Sequence, residues 1–145
     1  MRRNKKIPNL CLILILTVFN VACSNKSQQQ VEYQQSYDSG KAFYEDECQK
    51  CHMLSGVGLA LLYPPLANSD YLKMNEKDLP CIIYKGMKGP IIVNGKKFNW
   101  PMPPLKNIDE IKMSAILTYV RNAWGVSKGA VSFREARAMM DACGD

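Results

Sequence analysis

An all-α domain of three to four helices, with one small hairpin set among them, is the fold this sequence predicts. Three observations predict it. One stretch toward the C-terminus carries a long apolar stripe at helical spacing, others open on helix-capping residues, and a single strand-like run stops at Asn-Gly. The length of 145 residues suits one domain of about 100–150 residues with a tail. With eight prolines and nine glycines the chain is neither collagenous nor a wholly disordered polymer.

The first helix is expected over about Ser39 to Gln49, with Gly40 one turn ahead of Phe43 and Tyr44. The second runs from about Glu76 to Lys85. Asn75 opens it with Asp78 three residues on, and Gly86 closes it, a favoured residue just past a helix end. Pro80 has no backbone N–H to donate, which moves the expected start toward Leu79. A hairpin is expected across residues 89–98, where Ile91-Ile92-Val93 leads into Asn94-Gly95. The third helix is the clearest. Asp109 stands as its N-cap, Met113, Ile116, Leu117, Val120 and Trp124 form its stripe, and Gly125 ends it. That apolar face should pack on the first helix near Gly40 and Phe43. A fourth, short helix is signalled by the capping box Ser132-Phe133-Arg134-Glu135, with Val131 ahead of it as a staple residue. These stripes read as core and carry no chemistry.

Residues 1–22 read as an export signal. Arg2, Arg3, Lys5 and Lys6 form a basic start, and the chain from Leu10 to Ala22 is nearly all apolar. A run of that length suits a signal and falls short of the ~20 residues a spanning helix needs. Val21-Ala22-Cys23-Ser24 resembles a bacterial lipobox, which would make Cys23 the lipidated first residue of the mature chain. Asn20 stands where such motifs usually carry Leu, so conventional cleavage near Ala22 and a soluble periplasmic product stay open. Each buried acyl methylene contributes roughly 0.8 kcal/mol to membrane attachment. Residues 23–36, rich in Ser, Asn and Gln, are expected to be a lipidated N-terminus and flexible tether. The folded domain is then 37–145, its ordered part running from about Tyr37 to about Asp141.

The formal net charge is +6, but four of the 19 basic residues fall in the first six positions and all 13 acids follow Cys23. The 15 remaining bases against 13 acids leave the mature chain at +2. The basic balance therefore belongs to the export signal and gives no support for nucleic-acid binding.

One histidine is present. It excludes every site needing two imidazoles from this chain, including zinc helix motifs and bis-histidine haem. That histidine closes Cys48-Gln49-Lys50-Cys51-His52, a Cys-x-x-Cys-His motif, the attachment signature of c-type haem. Two thiols three apart near a helix end reach both vinyl groups as thioethers, and the adjacent imidazole points at the iron. A thioredoxin-like redox pair would need a βαβ setting, and no strand pattern surrounds the motif. A zinc site built from Cys48, Cys51, Cys81 and Cys143 would lack the usual two close pairs.

With no second imidazole, a thioether is the soft alternative for the sixth ligand. Met102 is the choice, because Trp100-Pro101-Met102-Pro103-Pro104 holds it in a proline-stiffened loop 50 residues after His52. The competing reading is a methionine that merely fills a core gap. Met53 is too near the motif to reach the opposite face, and Met113, Met139 and Met140 fall in helical patterns. Met74 and Met87 flank a short helix and are weaker candidates. Metal-bound His donates its other ring N–H to an acceptor; the carbonyl of Pro64 in Tyr63-Pro64-Pro65-Leu66 is the candidate. Trp100, Tyr71, Leu66 and Ile91 are expected in the walls of the haem pocket.

On these residues the chain resembles the class I (mitochondrial-type) c-type cytochromes, in the form of a bacterial monohaem cytochrome c domain with a lipoprotein-like signal peptide. The resemblance covers roughly residues 37–127. It rests on Gly40 and Phe43, CQKCH at 48–52, YPPLANSDYL at 63–72, NGKKFNWPMPPL at 94–105 and ILTYVRNAWG at 116–125. The last three look like the cytochrome domains of dehydrogenase and copper nitrite reductase systems. The resemblance implies a class I cytochrome c fold around one covalent haem c, bound through Cys48 and Cys51. It implies His52 and Met102 as axial ligands, with Pro64 orienting His52. Cys81 and Cys143 depart from the pattern: in an oxidising envelope they are either a disulfide joining the last helix to the second or two free buried thiols.

The function so implied is an electron carrier, not an enzyme, passing single electrons between redox proteins of the bacterial envelope. A dehydrogenase, a nitrite reductase or a terminal oxidase are partners of the right kind, and a lipid anchor would hold the domain on a membrane facing the periplasm. Lys50, Lys85, Lys88, Lys96, Lys97 and Lys106 are either a docking ring or ordinary solubilising charges. The alternatives are a haem sensor or small haem enzyme with a displaceable Met102, and a Cys-x-x-Cys lipoprotein without haem.

Overall fold

The first helix, α1 (Pro8–Glu47), is the longest element of the computed structural model, which describes the backbone of residues 8–126 and 129–144 and side chains from Ser27 onward. The basic start, the side chains of the apolar run and the Cys23 thiol lie outside the described residues. Among the described residues no helix is long and apolar enough to cross a membrane. The polar stretch expected as a tether is instead helical and continuous with α1. Nothing in it stops a helix: there is no glycine or proline from Asn9 to Ser39, and Gln, Glu and Lys keep most of their rotamer freedom in helical backbone. Gln34 adds a side-chain bond to Asp38 one turn on, at 3.0 Å.

The chain forms two units, Met1–Glu32 and Tyr33–Asp145. The first holds the N-terminal part of α1. The second holds the rest of α1 and every other element: α2 (Gln49–His52), α3 (Asp70–Met74), a 3-10 turn (Glu76–Asp78), α4 (Leu79–Lys85), β1 (Ile91–Val93), β2 (Lys96–Phe98), α5 (Glu110–Ala123) and α6 (Phe133–Asp141).

The caps behave as the residue types require. Asp109 accepts from the Lys112 N–H at 2.7 Å and Ser132 from the Glu135 N–H at 3.2 Å, opening α5 and α6. The helix expected from Glu76 divides at Pro80: the first three residues form the 3-10 turn and α4 proper starts at Leu79. The hairpin pairs Ile91 with Phe98 and Val93 with Lys96, turning through Asn94-Gly95 in left-handed backbone. Helix α3 was not expected, although Ser69 is a legible N-cap that accepts from the Leu72 N–H at 3.0 Å.

Helix α5 is the spine of the core. Met113, Ile116, Leu117 and Val120 are all buried, each contributing about 1.5–3 kcal/mol relative to exposure. Gly40 is where α1 crosses it. A Cβ on Gly40 would lie 1.9 Å from the Ala115 carbonyl oxygen and 2.8 Å from the Tyr119 Cβ, so only glycine permits this approach. Around the crossing Tyr37, Tyr44, Tyr119 and Trp124 form a ring cluster with centroids 5.0–5.4 Å apart. Polar groups at the other end of the interface are satisfied. Ser114 donates to the Val131 carbonyl at 2.7 Å, and the Thr118 hydroxyl donates to the Ser114 carbonyl while accepting from the Val131 N–H. Val131, buried ahead of α6, fills the staple position.

Candidate functional site

The attachment motif sits where α1 gives way to α2. The Cys48 N–H still bonds to the Tyr44 carbonyl and the His52 N–H to the Cys48 carbonyl, both at 2.9 Å, so the two thiols stand on nearly continuous helix. Met53 then turns into left-handed backbone, with φ 61°, and its carbonyl accepts from the buried Tyr44 hydroxyl at 2.6 Å. That bond fixes the point at which the chain leaves the helix.

Next to it lies a cavity with almost wholly apolar walls. Cys48, Cys51, His52 and Met102 all line it, with Leu66, Leu72, Leu79, Ile82, Ile83, Ile91, Val93, Phe98, Ile116 and Val120 supplying most of the remaining surface. Tyr71 and Trp100 are in the wall too, and Trp100 is 59% exposed. Tyr44, Tyr63 and Asn75 line the cavity too and were missed, and Met87, a weaker ligand candidate from sequence, lines it as well. Tyr44 carried a readable sign, four residues before Cys48 on one helix face.

His52 Nδ1 lies 3.0 Å from the Pro64 carbonyl oxygen. A carbonyl only accepts, so the ring proton is on Nδ1 and Nε2 keeps a free lone pair. Burial lowers the imidazole pKa, against the opposing pull of the Pro64 carbonyl. The ring is thus held neutral, the form that ligates a metal. Cys48 is pushed up to about 11, by burial first and then by the Glu47 carboxylate, with Lys112 opposing, so it stays a thiol at neutral pH.

Opposite in sequence, the Met102 loop is held by α4. Gly86 ends that helix at φ 74°, and a Cβ there would lie 2.4 Å from the Met102 carbonyl oxygen. This contact lets residues 87 and 102 pair: each N–H donates to the other's carbonyl, at 2.8 and 2.9 Å. The Leu105 N–H bonds to the Ile83 carbonyl at 3.0 Å and closes the loop. Hairpin and α3 are tied by a reciprocal pair between Asp70 and Asn94, the Asp70 N–H donating to Asn94 Oδ1 at 3.0 Å and the Asn94 N–H to Asp70 Oδ1 at 2.7 Å.

Four other methionines, Met74, Met113, Met139 and Met140, do not line the cavity. Met113 is wholly buried in the core, Met139 and Met140 pack against it, and Met74 is 73% exposed. Cys81 and Cys143 form a disulfide with Cα atoms 5.3 Å apart, joining α4 to the residues just past α6. Their bond removes them from any four-cysteine zinc site. Cys48 and Cys51 are free thiols, and the one sheet among the described residues is a two-stranded antiparallel hairpin, not the parallel setting of a thioredoxin-like pair.

These donors fit a covalent haem. Two thiols, one imidazole with its outer nitrogen occupied and one thioether share an apolar cavity that excludes hydrated ions. Comparison with known proteins agrees. The family model for cytochrome c matches residues 37–124. Two cytochromes c-552 of Thermus thermophilus are each 28% identical to the chain over 92 residues. The match spans 61% of this chain and 70% and 62% of theirs. The chain therefore belongs to the cytochrome c family, as a class I monohaem c-type cytochrome that carries covalent haem c and serves haem-based electron transfer.

Proposed function

We propose that haem c is attached through Cys48 and Cys51 and ligated by His52 and Met102, and that the chain carries single electrons between redox proteins of the bacterial envelope. The observation that carries this reading is the His52–Pro64 contact, which aims a neutral imidazole into the same apolar cavity that Met102 lines. The haem supplies the one-electron iron couple. The chain's residues do the rest. Pro64 holds the imidazole in one tautomer, the aliphatic walls keep water out, and thioether ligation favours the reduced state and raises the potential.

Electrons pass at the rim beside the motif. No residue from Met53 to Ser69 is charged. Leu54, Val57, Leu59, Leu61 and Leu62 are exposed there, as is Trp100, whose ring meets Tyr63 with centroids 6.5 Å apart. Such a rim favours brief apolar contact with a dehydrogenase, nitrite reductase or oxidase over a ring of lysines, which act as solubilising charges. The basic start, apolar run and Cys23 support export and a lipid anchor facing the periplasm, and the Cys81–Cys143 bond fits an oxidising compartment.

Absorption spectra of the purified protein test the ligand set. Sharp reduced α and β bands with a weak far-red band in the oxidised protein are expected. High-spin bands would contradict His/Met ligation. For the anchor, Cys23→Ser should move the protein from the membrane to the soluble fraction, and unchanged fractionation would contradict lipidation.

A further inference from the structure

We infer that Met87 is a second, reserve thioether for the iron site, able to replace Met102 as the sixth ligand. The inference rests on the His/Met reading above and goes beyond it. Residues 87 and 102 are directly opposed in an antiparallel bridge and exchange both backbone hydrogen bonds. In such a pair the Cα atoms are about 5.5 Å apart and the two side chains leave the same face of the ladder. Both residues line the cavity that His52 also lines. Gly86 enforces the register, because any side chain there would strike the Met102 carbonyl.

The two thioethers differ in how freely they are presented. Met102 sits between Pro101 and Pro103, so its backbone is fixed before ligation and little entropy is lost on binding. Met87 sits between Gly86 and Lys88-Gly89, a freer backbone. Met102 therefore holds the position in the resting protein. Met87, unbranched and flexible, moves in when Met102 is gone. The exchange breaks one iron–sulfur bond and forms another, and no electron or proton is transferred.

Met102→Leu and Met102→Leu/Met87→Leu test this, since Met-to-Leu keeps the cavity filled. In the oxidised single variant the far-red thioether band should persist, and added imidazole should bind at least about tenfold more weakly than to the double variant, in which the band is lost. Loss of the band in the single variant, or its survival in the double one, would overturn the reserve role. Absence of the band from the unmutated protein would instead overturn the His/Met reading on which that role rests.

Discussion

The two sides of the haem cavity are built on different principles. On one side α1 and α5 meet through side chains: a stripe of four buried aliphatics, a ring cluster and one glycine that lets the backbones touch. On the other side the chain folds back with little regular structure, and Pro64, Gly86, Pro101 and Pro103 set its course along with backbone hydrogen bonds. The helical side derives its stability from area removed from water. The loop side instead places single atoms: one carbonyl on His52 Nδ1, and one thioether in the cavity. Stability and ligand placement are thus largely assigned to different parts of the chain, joined where α4 meets α6.

That joint gives the largest expected effect. The Cys81–Cys143 bond spans 62 residues of sequence, a loop for which the chain-entropy model gives about 4 kcal/mol. Replacing both cysteines by serine should lower the unfolding free energy by roughly that amount in denaturant titration. A loss under about 1 kcal/mol would mean that the joint adds little to the packing of α6.

Next comes the helical side alone. Gly40→Ala forces a methyl against the Ala115 carbonyl and should cost about 3 kcal/mol. Because the loop wall is separately fixed, the His52–Pro64 contact should survive wherever the variant folds. A changed ligand spectrum at native helix content would mean that the two sides are not independent.

Smaller still is the loss of a cap. Asp109→Ala removes the acceptor for the Lys112 N–H and should cost about 1 kcal/mol with no change at the iron. Denaturant titration beside an absorption spectrum reads both.

Tyr44 belongs to both sides, since it packs with the rings of α5 and holds the Met53 turn. Burial raises its phenol far above the usual value, with the nearby Cys48 and Tyr119 adding to the shift. An acid whose pKa is raised by folding stabilises the native state below the unfolded pKa, about 10 for tyrosine, and that stability is lost as pH rises further. Tyr44→Phe should therefore cost about 1 kcal/mol at pH 7 and narrow its deficit above about pH 10. A deficit that widens there would contradict this account.

The helical side is the more legible in sequence, because its signals are periodic or local. The α5 stripe, Asp109, Ser132 and Asn94-Gly95 each specify their own surroundings within a few residues. Pro64 and Met102 can be singled out because proline fixes backbone whatever lies nearby. Met87 is legible only as a weaker candidate, since its place depends on a bridge to a residue 15 positions on, and no periodic pattern records that pairing. The stretch expected as a tether is less legible for the opposite reason. Polar composition suggests a lack of structure, yet without glycine or proline nothing there ends α1.

Ligation by Met102 across the cavity from His52 is tested by a redox titration of Met102→His. Imidazole favours ferric iron more than thioether does. Haem should stay attached while the midpoint potential falls below that of the unmutated protein and the far-red band disappears. An unchanged potential with the band intact, in Met102→His and again when Met87→Leu is added, would contradict ligation by Met102 and assign the sixth position to a residue other than these two.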